Sequence, residues 1–223
     1  NVLGPDINES YYKFTVNEKK EIRFGMGAVK GVGKNAVKTI VDNRKEKRYE
    51  SVFDLVKRID LRSANKKTFE NLILAGGLDS FDHVHRAQYF NPDVDGITFL
   101  ERTLRYGSKY QENVNSSQIS LFGEKTEKTY QDLTVPPCEK WDDLIQLKRE
   151  KEVVGIYISA HPLDSFKQEI KYFVSISFSN MGDLTPLINK EFWVAGIIND
   201  VENLETKNGR GWAKFIVEDF TDQ

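Results

Sequence analysis

The chain has 223 residues, 39% of them hydrophobic and 12% aromatic, which is enough apolar material for one or two folded domains. No apolar stretch approaches the roughly 18 residues of a membrane-spanning helix and no signal peptide is visible, so we expect a cytoplasmic protein without a membrane partner. The single cysteine, Cys138, excludes an internal disulfide and a cysteine-rich metal site. The start at an asparagine and the abrupt end favour a piece of a longer protein.

The formal net charge of −2 is spread unevenly along the chain. Residues 1–90 hold 17 basic and 12 acidic side chains, whereas residues 91–223 hold 15 basic and 22 acidic ones. Residues 19–48 alone carry ten basic and three acidic side chains. A positive field of this kind favours a polyanionic partner, although a solvated helix face gives the same excess.

The most informative motif is a glycine turn inside this basic segment. Gly31, Val32 and Gly33 stand between Lys30 and Lys34, and an apolar helical pattern follows. Glycines let the backbone turn sharply, and its N–H groups together with the helix start form an anion site. The lysines add charge suited to a nucleic-acid backbone, so the five residues predict a helix-hairpin-helix element that holds phosphates.

Other readings of the glycine turn are weaker or remain open. A lone Gly-x-Gly turn also occurs in a tight helical hairpin with no ligand. The spacing does not fit a dinucleotide-binding fingerprint, and Asn35 stands where a Walker loop requires serine or threonine.

Helical patterns continue after this turn. We expect helices over about 35–47, from an N-cap at Ser51 with Phe53, Val56 and Ile59 buried, and from Asn65 with Phe69, Leu72 and Ile73 buried. The last of these stops at Ala75, Gly76 and Gly77, which we interpret as a second, related turn. A Gly-Gly stop is also an ordinary helix C-cap.

A polar stretch over about 106–139 has few periodic apolar positions and is typical of a linker. Within it lies the peptide Gln118-Ile119-Ser120-Leu121-Phe122-Gly123. Leu121 and Phe122 fit the role of two anchors in a partner's pocket, with Gln118 supplying amide hydrogen bonds, although a short strand is an alternative.

The last third of the chain changes from helical to strand periodicity. A helix is predicted from Trp141 to about Ile158, and His161 precedes the proline that ends it. Alternation begins near residue 191, and Asn208-Gly209 is a strong hairpin signal. About three strands are therefore expected, as at the start of an oligonucleotide-binding (OB) barrel, which three strands cannot close.

In this order the motifs resemble one family, the C-family replicative DNA polymerases of bacteria, in the C-terminal part of the DNA polymerase III alpha subunit. The resemblance covers nearly the whole chain and is carried by residues 24–41, 72–81, 85–87, 118–123, 149–152, 155–163 and 194–198. It implies a mixed α+β, multidomain fold. The expected domains are a mainly helical tandem helix-hairpin-helix domain (1–105), a linker with a clamp-binding peptide (106–140), connecting helices (141–189) and a truncated OB-like β-domain (190–223).

The resemblance also implies roles for particular residues and partners. Duplex DNA binding falls on the residues of the two glycine turns, Lys30, Gly31, Val32, Gly33, Lys34, Ala75, Gly76 and Gly77. Sliding-clamp (beta subunit) binding falls on Gln118, Leu121 and Phe122. Single-stranded DNA is expected for a complete barrel, and other replisome subunits are further expected partners. No catalytic residue, metal or cofactor is expected in this fragment, since the polymerase carboxylates and their Mg²⁺ belong to a palm domain elsewhere.

A few further residues have chemistry that deserves weighing. Asp79, Asp82, His83 and His85 form at most a loose metal-binding pattern, and a surface loop is the simpler reading. His161 fits a capping role, and Trp193 and Trp212 fit either base stacking or core packing. The alternative function is a helix-hairpin-helix and OB fragment of a DNA repair nuclease or ligase, for which no acidic metal cluster or nucleophilic lysine motif is found.

Overall fold

A computed structural model describes residues 2–119, 133–183 and 185–221 of the chain. These residues form two compact units, Asn1–Ser159 and Ala160–Gln223. Six helices make up most of the first unit: α1 (Lys34–Arg44), α2 (Val52–Arg58), α3 (Lys66–Leu74), α4 (Arg86–Phe90), α5 (Phe99–Ile119) and α6 (Asp143–Val154). Among the described residues, no helix is long and apolar enough to cross a membrane.

A small sheet precedes the helices in the first unit. Its strands are β1 (Val2–Leu3), β2 (Thr15–Val16) and β3 (Ile22–Arg23), with β3 in the middle, parallel to β1 and antiparallel to β2. A short 3₁₀ helix, Met26–Ala28, follows β3 and leads towards α1. The chain therefore enters α1 from a single 3₁₀ turn rather than from a full helix.

Local capping signals fix where α2 and α3 begin. The Ser51 hydroxyl accepts a hydrogen bond from the backbone N–H of Asp54 at 3.1 Å, and the Asn65 side chain accepts one from Thr68 at 3.1 Å. Both predicted N-caps are confirmed, because each satisfies a donor that has no partner within its own helix. The six apolar residues predicted to be buried in α2 and α3 are all in the core: Phe53, Val56, Ile59, Phe69, Leu72 and Ile73.

The expectation of a loose segment is wrong for residues 106–119, which continue α5. Tyr106 is buried and packs edge-on against Phe53, with ring centroids 5.7 Å apart. The Gln111 side chain donates hydrogen bonds to the carbonyls of Val56 and Ile59, both at 2.8 Å. These contacts with α2 stabilise a helix that the polar sequence alone did not indicate.

The second unit combines short helices with a β-hairpin. A 3₁₀ helix (Pro162–Phe166) runs into α7 (Lys167–Phe173), and β4 (Ile197–Glu205) pairs antiparallel with β5 (Gly211–Glu218). The predicted hairpin turn is confirmed, with Gly209 at a φ of 73° and the Thr206 N–H bonded to the Arg210 carbonyl. Within residues 185–221 the structure has two strands where about three were predicted, so the OB barrel stays a prediction. The mixed α+β class, with helices first and a small β-domain after them, is confirmed.

Candidate nucleic-acid interface

The glycine turn here called the first turn (residues 29–33) connects the 3₁₀ helix to α1. Lys30, Gly31, Gly33 and Lys34 are exposed, whereas Val32 is buried and anchors the turn in the core. Gly31 has a φ of 73°, a left-handed conformation that a side chain disfavours. Gly33 is extended, and a Cβ built on it meets no atom within 4 Å, so the space beside it is open.

The N-terminus of α1 lies open beside this turn. Its first helical hydrogen bond joins the Val37 N–H to the Gly33 carbonyl, and the N-cap glycine has no side chain to satisfy the earlier donors. The backbone N–H groups of Gly33, Lys34 and Asn35 have no protein partner within the part of the chain that the structure describes. Exposed, unpaired N–H groups at a helix start attract an anion.

The lysines around the first turn differ from those further along the chain. Lys30, Lys34 and Lys38 are exposed and form no ion pair with any residue that the structure describes. Lys45 and Lys47 are exposed too, but they pair with Asp42 at 2.7 Å and Glu50 at 2.9 Å. Unneutralised positive charge is thus concentrated where the open N–H groups are.

Two elements distant in sequence hold the first turn in place. The Lys30 N–H donates to the carbonyl of Val153 near the end of α6 at 2.8 Å. The Lys30 carbonyl accepts a hydrogen bond from the side chain of Asn71, which is buried in α3. The turn is therefore fixed through its backbone, and its lysine side chains are left to solvent.

A second helix-turn-helix unit is formed by α2, the second turn (residues 59–65) and α3. Asp60 shapes this turn, because its carboxylate accepts hydrogen bonds from the Ser63 hydroxyl at 2.6 Å and the Arg62 N–H at 3.0 Å. The Ser63 bond, ahead of the Arg62 bond, holds the pKa of the Asp60 carboxyl below its ordinary value. The Asp60 N–H in turn donates to the hydroxyl of Thr39 in α1 at 3.1 Å. The hairpin made of the 3₁₀ helix, the first turn and α1 therefore lies against the hairpin made of α2, the second turn and α3.

The second turn carries less unpaired charge than the first. Lys66 pairs with Glu101 at 2.5 Å and with Glu70 at 3.7 Å, and Lys67 also pairs with Glu70. Arg62 is exposed and has no ion pair among the described residues. Attraction for a polyanion is accordingly strongest at the first turn.

Comparisons with known proteins agree with this arrangement. Residues 1–89 match the family described as helix-hairpin-helix motif, and that range spans both turns. The chain is 31% identical to the DNA polymerase III subunit alpha of Vibrio cholerae serotype O1, over 93% of the chain and 17% of the relative. The chain resembles part of DNA polymerase III alpha subunits.

Two further relatives give the same result. The DNA polymerase III alpha subunits of Buchnera aphidicola and Mycobacterium leprae are 30% and 32% identical to the chain, and each match covers 99% of it. In both cases the match covers 18% of the relative. The chain thus spans less than a fifth of the length of these polymerase subunits.

The predicted second glycine turn is buried, whereas the glycines of the first turn are exposed. Ala75, Gly76 and Gly77 are buried and end α3: the Gly77 N–H bonds to the Leu72 carbonyl at 2.7 Å, and the Gly76 N–H to the Ile73 carbonyl at 3.0 Å. These bonds form a Schellman cap, so the three residues present no free donor to a ligand. DNA binding at Ala75, Gly76 and Gly77 stays a prediction, and the turn that the structure places beside α1 is the second turn, which Asp60 closes without glycine.

A buried ionic network lies behind this cap. Arg86 donates to Asp79 through Nε at 3.0 Å, to the Leu74 carbonyl at 3.1 Å and to Glu150 at 3.2 Å. Burial alone would lower the pKa of the Arg86 guanidinium, but the hydrogen bonds and charges of Asp79 and Glu150 outweigh it and the pKa is raised. Glu150 is fully buried and also accepts hydrogen bonds from the N–H groups of Ile158 and Ser159. The network joins the end of α3 to α6, whose Val153 holds the first turn.

Of the residues predicted to bind the clamp, only Gln118 is described by the structure, which also describes His161. Gln118 lies in the last turn of α5, and Leu121 and Phe122 lie outside the described residues. His161 caps the 3₁₀ helix at Pro162, since its Nδ1 accepts from the Leu163 N–H at 3.2 Å, which confirms the capping role.

The residues considered for metal binding and for base stacking all lie within the described ranges. No group of three or more His, Cys, Asp or Glu residues is arranged to hold a metal within the described ranges, and Asp79 is engaged by Arg86. Trp193 and Trp212 are exposed rather than buried in a core.

Proposed function

We propose that the first unit is a non-catalytic, duplex-DNA-binding region of a replicative DNA polymerase of the DNA polymerase III alpha type. The observation that carries the proposal is the first turn: open N–H groups of Gly33, Lys34 and Asn35 beside three lysines without ion pairs. Such a site accepts a phosphate oxygen through the N–H groups and neutralises the neighbouring phosphates through Lys30, Lys34 and Lys38.

Contacts of this type read the backbone and not the bases. Phosphates lie at the same positions whatever the sequence, so binding is expected to be indifferent to sequence and sensitive to salt. This suits a polymerase region that holds newly made duplex, because every sequence must pass it.

Charge reversal at the first turn tests the proposal. Duplex DNA of two unrelated sequences is titrated with the whole chain, with Lys30→Glu/Lys34→Glu, and with Lys45→Glu/Lys47→Glu as the control. The control makes the same change of net charge at exposed lysines that already have acidic partners. We expect at least a tenfold loss of affinity for the first variant on both sequences and a much smaller loss for the control. Equal losses of affinity for the two variants would show that net charge alone governs binding and would contradict phosphate binding at the first turn.

We further propose a sliding-clamp contact at Gln118, Leu121 and Phe122. Support comes from the sequence alone: two adjacent apolar anchors within a polar stretch, with an amide three residues before them. Leu121→Ala/Phe122→Ala is expected to abolish binding of the chain to an immobilised beta-subunit ring. Val16→Ala/Val94→Ala truncates two exposed apolar residues elsewhere and should leave binding unchanged. Retained binding by the first variant would refute the contact.

The proposed role does not include cleavage or joining of DNA. Incubating the chain with nicked and intact duplex in Mg²⁺ or Mn²⁺ tests this point, and cleavage or joining would favour a repair nuclease or ligase instead. Single-stranded DNA and other replisome subunits are proposed partners of the longer polymerase, with the exposed Trp193 and Trp212 as candidates for base stacking in the β-domain.

A further inference from the structure

The segment of residues 11–14, here called the aromatic loop, lies against the 3₁₀ helix that leads into the first turn. The Met26 N–H donates to the Tyr11 carbonyl at 2.8 Å, and the Gly27 N–H donates to the Tyr12 carbonyl at 3.0 Å. Gly27 is three residues before Lys30. The 3₁₀ helix therefore connects the aromatic loop to the first turn.

Glycine is required where this loop meets the 3₁₀ helix. A Cβ on Gly27 would lie 2.5 Å from Cε2 of the Tyr12 ring, and a Cβ on Gly25 would lie 2.6 Å from the Lys13 carbonyl carbon. The absence of these side chains lets the Tyr12 ring rest directly on the backbone. Such close packing holds the ring in a defined position next to the first turn.

Tyr12 remains available to a ligand in spite of this packing. Tyr12 is 40% exposed, and its side chain has no aromatic, cationic or hydrogen-bonding partner among the described residues. Its neighbours are engaged: Arg44 lies over the Tyr11 ring at 4.8 Å, and Phe14 packs edge-on against Phe24 with centroids 4.5 Å apart. Tyr12 is thus the aromatic side chain of the loop that has a supported ring and no partner.

The charge around the aromatic loop matches a nucleic acid better than an apolar peptide. Lys13, the residue after Tyr12, is exposed and forms no ion pair with described residues, like Lys30 and Lys34 of the neighbouring turn. An aromatic ring can cover an unstacked base while a neighbouring unpaired lysine binds the phosphate of that nucleotide.

We propose that Tyr12 stacks on an unpaired base of the DNA whose backbone the first turn holds, so that the region prefers duplex with a short single-stranded gap over continuous duplex. This inference rests on the proposed function. In a continuous duplex the base faces are covered by their neighbours and only phosphates are offered, whereas a gap exposes a face that the ring can cover.

The test compares two DNA substrates of equal length, one continuous and one with a short gap, which has fewer phosphates because nucleotides are missing from one strand. The whole chain is expected to bind the gapped substrate more tightly. Tyr12→Ala should weaken gapped binding about five- to tenfold while continuous duplex binding changes less than about twofold. Tyr12→Phe keeps the ring and should retain the preference. Tyr172→Ala, which removes a more exposed tyrosine of the second unit, should change neither affinity.

Each other outcome has a distinct meaning. Equal loss on both substrates by Tyr12→Ala would show that the ring only supports the first turn, and no loss on either would show that it makes no contact; both overturn the inference but leave the phosphate-binding role. If the whole chain binds neither substrate, the proposed function fails and the inference fails with it.

Discussion

The side-chain amide of Asn71 donates a hydrogen bond to the carbonyl of Lys30, so the sixth residue of α3 holds the turn that precedes α1. The reverse contact also exists. Thr39 is the sixth residue of α1, and its hydroxyl accepts the N–H of Asp60 in the turn that precedes α3. Each helix thus stabilises the other's turn, and this reciprocity makes the two hairpins one unit.

Replacing Asn71 by alanine should destabilise the first unit. The carbonyl of Lys30 loses its side-chain partner and the buried Asn71 side chain is truncated, so about 1–3 kcal/mol of destabilisation is expected. Thr39→Val should have a smaller effect, about 0.5–1 kcal/mol, because Asp60 is exposed and water replaces the lost acceptor. Urea unfolding measures both free energies. Equal effects, or none for Asn71→Ala, would contradict the reciprocal arrangement.

Removing Arg86 should have a larger effect than removing an exposed partner. Arg86→Met leaves the carboxylate of Glu150 fully buried without its cation, for which about 3–5 kcal/mol of destabilisation is expected. Lys45→Met breaks an exposed ion pair with Asp42, and a much smaller loss is expected because solvent screens this pair. Thermal and urea unfolding of the two variants provide the comparison. Similar stabilities would mean that the Arg86 network does not hold α6 to α3.

Two buried tyrosines predict a loss of stability at high pH. Burial raises the pKa of the Tyr49 and Tyr89 phenols above the ordinary value, so the folded state keeps protons that the unfolded state releases. Their contribution is complete below about pH 10 and is lost as the pH rises further, because the unfolded phenols ionise first. Unfolding free energies measured at pH 8 and at pH 10.5 should show this decrease.

The two tyrosines can be separated by removing each hydroxyl. The Tyr49 hydroxyl donates to the Ile40 carbonyl at 2.8 Å, so Tyr49→Phe should destabilise by about 0.5–1.5 kcal/mol at neutral pH. The buried Tyr89 hydroxyl has no partner among the described residues, so Tyr89→Phe should be neutral or stabilising. Both variants should lose less stability at high pH. If Tyr89→Phe destabilised the protein more than Tyr49→Phe at neutral pH, the Tyr89 hydroxyl would have to make a stabilising hydrogen bond, which would contradict this account.

The two glycines of the first turn should respond differently to alanine. Gly31→Ala forces a side chain into a left-handed conformation and should destabilise by about 1–2 kcal/mol. Gly33→Ala meets open space at an ordinary φ of −79° and should destabilise less than Gly31→Ala, although alanine is a poorer N-cap than glycine. Its methyl group nevertheless stands beside the open N–H groups, and a severalfold weaker affinity for duplex DNA is expected. Unchanged affinity would place the phosphate away from Gly33.

Local signals in the sequence were sufficient for much of the first unit. The caps at Ser51 and Asn65 and the buried faces of α2 and α3 depend on residues within one or two helical turns, and they were predicted correctly. The first turn was recognisable because its conformation requires Gly31.

Long-range partners could not be predicted in the same way. The second turn is closed by the side chain of Asp60 and carries no glycine, so nothing in its local sequence predicts it. Arg86 and Glu150 are 64 residues apart, and nothing in either local sequence indicates the other. The helical part of residues 106–119 depends on contacts of Tyr106 and Gln111 with α2.

The salt dependence of duplex binding tests the central claim most directly, since a phosphate contact releases counterions. The logarithm of the association constant is measured against the logarithm of salt concentration for the whole chain, for Lys30→Gln/Lys34→Gln and for Lys45→Gln/Lys47→Gln. If Lys30 and Lys34 each neutralise a phosphate, the first variant should have a slope shallower by about two, and the second should keep the slope of the whole chain. Identical slopes for all three proteins would contradict phosphate binding at the first turn.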